Sequence, residues 1–265
     1  MRQPRTLAGV LIAVLVLAAT GVHRGEARSA KKPPCKENIE ACSDQGCGTD
    51  FDPNLNEQKN IRANDPRAGG DAEVKSLGWM KRLEDPENFE KGGSRDELGD
   101  LGEGKKIRVV AYLIAAKPEL GGESCNCGLK TKRETDNHLV LVTKTTVNKF
   151  PLDPDETDAA TEKDVFHSRE LESETAEFTP RVRLFGNHPN FTREKVQPMI
   201  DDAPQKALQV RVTGMLLFDS EHFLQNHLVR VNNWEIHPVL KLEVCTTTAA
   251  CRASSDEGWK SLDDF

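Results

Sequence analysis

The residues best suited to chemistry are acids and histidines that recur in short clusters. Strand alternation over Trp234–Val244 (WEIHPVLKLEV) puts Trp234, Ile236, Leu240 and Leu242 on one face and Glu235, His237 and Glu243 on the other. Glu235 and His237 therefore project together, away from the apolar side. In the string DNHLVLV, Asp136 and His138 share a face by the same rule, and the segment after Phe218 carries Asp219, Glu221 and His222. Imidazole and carboxylate together suit a divalent metal. His138, His222 and His237 would supply nitrogen ligands, and Asp136 or Glu235 a further ligand or a general base, with a position left for water. The spacing matches no established metal motif, so a divalent cofactor is an expectation of residue type alone. The plainer alternative pairs each histidine with a nearby carboxylate or backbone carbonyl, with Pro238 marking an edge strand or bulge.

Two other chemistries use overlapping residues. A nuclease of the staphylococcal type needs carboxylates for a cation and arginines for phosphate, and Asp136, Glu177, Arg181 and Arg230 supply those types. A binding module without catalysis would line a groove with Tyr112, Trp234, Arg211 and Arg230. A single-strand binder wants aromatics interleaved with basic residues, yet this chain has one tyrosine, 5% aromatics and a net charge of -7. The acidic balance repels nucleic acid at long range and favours a protein or small-ligand partner. Trp234 also falls on the apolar face, where core packing explains it. The chain has no G-x-S-x-G, no phosphate-binding glycine loop and no H-E-x-x-H, and Cys125-x-Cys127 lacks the spacing of a redox pair. The sequon Asn190-Phe191-Thr192 has meaning only in a glycosylating host.

These side chains need strands to hold them. Ile107–Ala116 (IRVVAYLIAA) is nearly continuous in apolar and β-branched residues, as in a buried or strongly curved strand. Ser124–Leu129 reads as a short second strand and His138–Thr146 as a third. Residues 151–177 read as an acidic, solvated insertion, and Glu177–Arg183 as a short strand or turn. A short helix over Phe191–Ile200, capped by Asn190, precedes two further strands at Leu208–Phe218 and Trp234–Val244. Gly214 lies mid-strand, where barrels bend or bulge. Three strands, a helix and two strands is the order of an OB-fold. The fold class expected is therefore mainly β: a five-stranded OB-fold-like Greek-key barrel with one short helix.

The barrel is expected over 95–248. Before it, residues 28–94 form an irregular, cysteine-containing extension with a helix at 71–85, and after it 249–265 form an acidic tail. Arg2 and Arg5 followed by the uncharged run Leu7–Val22 read as a cleavable leader over 1–27, cut after Gly21 or Ala27. The run is shorter than the roughly 20 residues a membrane helix needs, and no later stretch supplies a span. Cleavage at 27 removes Arg2, Arg5, Arg24 and Glu26, taking the net charge from -7 to -9. The mature chain is then periplasmic or extracellular. There Cys35, Cys42, Cys47, Cys125, Cys127, Cys245 and Cys251 default to disulfides, with one thiol left over. Cys245 and Cys251 suit a small loop. One or two of Cys35, Cys42 and Cys47 can reach Cys125 or Cys127.

The strings GESCNC (Gly122–Cys127), DNHLVLV (Asp136–Val142), VRVTGMLLFDSEH (Val210–His222) and WEIHPV (Trp234–Val239) together resemble a group of uncharacterised exported bacterial proteins with OB-fold-like barrels. The stretch from Gly46 to Asn60 is similar to the same group. The resemblance implies a barrel and export, but no substrate and no catalytic residue. The function expected is an exported, non-catalytic binding or structural module. The alternative is a metal-dependent hydrolase that uses the acid and histidine clusters at the strand ends.

Overall fold

The apolar run from Ile107 becomes the strand on which the barrel closes. The structure, a computed structural model, describes residues 34–86, 89–119, 122–153, 156–221, 229–247 and 251–265. The leader expected at 1–27 and the site candidate His222 lie outside the described residues. The strands are β1 (Glu73–Val74), β2 (Lys106–Pro118), β3 (Asn137–Val142), β4 (Glu174–Phe178), β5 (Leu208–Phe218), β6 (Trp234–Cys245) and β7 (Trp259–Ser261). The helices are α1 (Pro53–Lys59), α2 (Leu77–Met80), α3 (Asp96–Leu101), α4 (Lys144–Lys149), α5 (Ala159–Glu170), α6 (Pro180–Phe185) and α7 (Arg193–Asp201).

Strand β2 pairs antiparallel with both β3 and β5, β3 with β4, and β5 with β6, while β4 and β6 run parallel. The ring β2-β3-β4-β6-β5 is closed, and its order and single parallel pair are those of an OB-type Greek key. β1 and β7 add short outer strands to β2 and β6. Inward-facing Ile107, Val109, Ala111 and Leu113 of β2 alternate with half-buried neighbours. They join Leu139, Leu141, Ala176, Phe178, Val210, Val212, Trp234 and Ile236 in one core. Val196 and Ile200 of α7, with Phe191 stacked 4.6 Å from Phe178, are buried in the same core. The Gln197 side chain accepts from Ala116 N–H, so α7 satisfies a backbone donor just past the β2 bulge.

Several elements differ from the sequence reading. Ser124–Leu129 is not a strand: Ser124–Asn126 is a 3-10 turn ending in Cys127 at φ 55°. The third barrel strand is instead β4, whose Glu174 and Glu177 belong to the stretch read as an acidic loop. Charged residues in that stretch obscured a strand whose outer face is polar but covered. The same stretch also contains α5, and α6 occupies the stretch read as a strand or turn at 177–183. The helix expected over 71–85 shrinks to the single turn α2, with β1 before it. Thr192, not Asn190, caps α7, accepting from Lys195 N–H.

Strict alternation also fails in β6. Register shifts opposite Thr213–Gly214 and Gly214–Leu216 put extra residues into this strand. The core positions are therefore Trp234, Ile236, Val239 and Leu242, and Leu240 is only partly buried at the edge. Gly214 permits this. A Cβ there would lie 2.4 Å from the Pro238 carbonyl oxygen and 2.5 Å from Ile236 Cγ2.

Three disulfides form: Cys35–Cys47, Cys42–Cys127 and Cys245–Cys251, leaving Cys125 as a buried thiol. Cys42–Cys127 ties the N-terminal arm to the turn after β2. Gly46 (φ 67°) lets the arm approach that turn closely, since a Cβ would meet the Ser124 carbonyl oxygen at 2.0 Å. Cys47 N–H and the Asn60 amide then donate to the Ser124 and Cys125 carbonyls. Among the described residues no helix is long and apolar enough to cross a membrane.

Candidate functional site

The site lies on the outer wall of the barrel where β3, β4 and β6 run side by side. The core faces of these strands carry Leu139, Ala176, Phe178 and Ile236, so the residues between them, His138, Glu177, Glu235 and His237, point outward. His138 and Glu177 are direct cross-strand partners, and Thr175 is aligned with Glu235. An outward polar face should be wet. Here it is covered by the arm with α1 and by the turn at 123–127, and Asp136, Glu177, Glu235 and His237 are all buried.

Glu177 sits at the centre. Its Oε1 is 3.0 Å from His138 Nε2, and its Oε2 is 2.9 Å from His237 Nδ1. The same His237 Nδ1 is 3.1 Å from Glu235 Oε1, while His237 Nε2 has no partner among the described residues. Burial alone would raise the Glu177 carboxyl, but the two imidazoles hold it well below the usual range. Burial opposes the charged forms of both histidines, yet Glu177 outweighs it. His138 is pushed up to about 10, and His237 also rises well above the ordinary imidazole value.

Asp136, just before β3, joins from the side. One ligand-capable atom each of Asp136, Glu177 and His237 lie within 4.8 Å of one another. Among the described residues no N–H group donates to either oxygen of Asp136, and its side chain hydrogen-bonds another acid, Glu123. Burial, then the charges of Glu123 and Glu177, push its pKa well above the usual carboxylate range. The cluster is thus short of positive charge at Asp136.

The remaining candidates divide. Arg230 donates to Glu235 and Asp219, both at 2.8 Å, and so completes the row behind His237. Arg181 is elsewhere in role: it donates to Asp44 and to the Cys42 and Ser43 carbonyls, anchoring the arm. Trp234 is a core residue, and Arg211 is held by Glu243 and Asp256, so the groove of Tyr112, Trp234, Arg211 and Arg230 does not form. Six of the cysteines read as disulfide candidates pair, and Cys125 does not.

Sequence reasoning missed Lys59, Glu119, Glu123 and Asp50. Lys59, fully buried at the end of α1, reaches Glu123 at 3.1 Å and Glu221 at 3.4 Å. Burial would lower this ammonium, but the surrounding acids raise it well above its usual value. Glu119 lies 3.4 Å from His138. Glu119, Glu123 and Glu221, with Asp50, line a cavity of about 670 Å³ that also meets Lys91 and Lys130. The cavity therefore opens directly beside the buried cluster. The one available signal was the neighbourhood of Glu123 to Cys125.

Comparison with protein-family models, with curated proteins and with solved structures yields no match. The chemistry of the site rests on its own geometry. Two carboxylates and an imidazole, with further acids around them, make a donor set for a divalent ion such as borderline Zn²⁺ or the harder Mn²⁺.

Proposed function

We propose that the protein is an exported binding module whose ligand is a divalent cation, held by Asp136, Glu177 and His237 beneath the acidic cavity. One observation carries the reading. Three buried donor groups converge, and among the described residues His237 Nε2 has no hydrogen-bond partner while Asp136 has no N–H donor and meets only another acid, Glu123. Buried polar atoms are ordinarily paired, and a cation would satisfy these at once. Export is consistent with the leader-like start and with the three disulfides.

The test is calorimetric titration of the oxidised chain with Zn²⁺ and Mn²⁺, alongside Asp136→Asn. Saturable binding by the wild type and its loss in the variant support the reading. Absence of binding, or identical binding by both proteins, removes it.

A second reading, a metal-dependent hydrolase, is favoured by the cavity. Glu123 lines it and is coupled electrostatically to Asp136. A cation here would polarise a water, and a neighbouring carboxylate would take its proton. The acids lining the cavity disfavour a nuclease, because they repel phosphodiesters. A panel of neutral ester, amide and glycoside substrates, with and without added metal, separates hydrolysis from binding alone.

A further inference from the structure

A second group of ligand-capable side chains adjoins the first and shares one member with it. Glu123, Cys125 and Asp136 also offer one donor atom each within 4.8 Å of one another. Cys125 is the thiol left out of the disulfides, and it is buried. Its turn is fixed from the arm, since Cys47 N–H and the Asn60 amide hold the carbonyls of Ser124 and Cys125. Lys59 takes Oε1 of Glu123, and Oε2 receives the Asn126 amide at 3.4 Å; the same carboxylate also hydrogen-bonds the Asp136 carboxyl, an acid–acid contact that a cation would replace. The shared residue, Asp136, is 1% exposed; among the described residues no N–H group donates to it, and its side chain hydrogen-bonds the Glu123 carboxylate, so the two acids share one proton.

We propose that Asp136 bridges two cation positions, the first completed by Glu177 and His237 and the second by Glu123 and Cys125. This rests on the cation reading of the first position and extends it. Once the proton it shares with Glu123 leaves to solvent, Asp136 has two oxygens to span the separation of about 3.5–4 Å found in two-metal sites. A thiolate in the second position selects a thiophilic ion, Zn²⁺ or its probe Co²⁺, over Mg²⁺ and Ca²⁺, which prefer all-oxygen ligands. On binding, the sulfur–hydrogen bond of Cys125 breaks, the thiolate electron pair forms the sulfur–metal bond, and the proton leaves to solvent. Lys59 stays as the fixed charge on the outer side of Glu123.

Titration of the oxidised, full chain with Co²⁺ tests this by absorption, with Zn²⁺ competition and metal analysis giving stoichiometry. The expected result is two equivalents per chain and a thiolate-to-cobalt charge-transfer band in the near ultraviolet. Cys125→Ser should lose the band and one equivalent while keeping the other. A single equivalent without the band overturns the bridged pair and leaves the one-cation reading standing. No bound metal removes both. Equal uptake of Mg²⁺ at both positions also overturns the pair. The wild-type band and stoichiometry need no variant, so they decide the matter even if Cys125→Ser fails to fold.

Discussion

His138 and His237 grip one carboxylate from its two ends, Nε2 of the first at 3.0 Å from Oε1 of Glu177 and Nδ1 of the second at 2.9 Å from Oε2. They come from different strands, β3 and β6, and meet only because β4 runs between them. Glu177 is therefore both the electrostatic centre of the site and a seam of the barrel.

Glu177→Gln should cost about 3–5 kcal/mol, because it removes the carboxylate shared by both imidazoles and leaves the buried His237 with Glu235 alone and His138 with the more distant Glu119. His138→Ala should cost less, since the His138 side chain is 30% exposed and water can replace part of what it gave. Chemical denaturation of both variants at neutral pH measures the difference. Equal losses would show that Glu177 is not the centre.

Asp136→Asn points the other way. The wild-type side chain is buried against two other acids, Glu123 and Glu177, with no N–H donor among the described residues. A neutral amide in place of this crowded acid should stabilise the metal-free protein by about 1–3 kcal/mol and abolish the stabilisation that Zn²⁺ confers on the wild type. Thermal melts with and without Zn²⁺ read both effects. A variant less stable than wild type without metal, yet still responsive to Zn²⁺, would contradict the assignment of Asp136 as a ligand.

Glu174 gives a pH dependence separate from the cluster. Both its oxygens lack hydrogen bonds among the described residues, and burial raises its pKa to about 8 despite Arg230 and Lys81, with Asp85 adding to the rise. The folded protein thus keeps this proton where the unfolded chain has lost it. The stability linked to Glu174 is full below the ordinary carboxylate pKa and is lost as pH climbs through about 8. Glu174→Gln should match wild type near pH 5 and exceed it near pH 9 by about 1–3 kcal/mol. Parallel stability curves across that range would refute the account.

Gly214→Ala tests the coupling of fold and site. The new Cβ would press on the Pro238 carbonyl and Ile236, the residues flanking His237. A loss of about 1–3 kcal/mol is expected from overpacking, together with weaker cation binding. Denaturation and calorimetry on the same sample check both. Unchanged binding would mean that the bulge can shift without moving His237.

The barrel was legible because its interior is written in apolar alternation at Ile107–Ala116, Leu208–Phe218 and Trp234–Val244. β4 was harder to see, since only Ala176 and Phe178 join the core, Glu177 lies between them and Glu174 opens the strand. The pairing of Glu235 with His237 followed from strand period. Their burial did not, because it depends on an arm brought from far away in sequence by Cys42–Cys127. Lys59 was invisible for the same reason: nothing local distinguishes it from an exposed lysine at the end of an amphipathic turn. Bulges opposite Gly214 then displaced Leu240 from the core in favour of Val239, an outcome that simple alternation has no means to express.

The Cys42–Cys127 link also changes what kind of charge Lys59 is. A free cation beside Glu123 and Glu221 leaves whenever its bulk concentration falls. Lys59 rides on an arm that is covalently tethered to the turn bearing Cys127, so even a loosened arm keeps the ammonium at a local concentration of about millimolar. The acidic rim thus carries its own counter-ion through dilution, and exchange at this end of the barrel is left to whatever occupies Asp136.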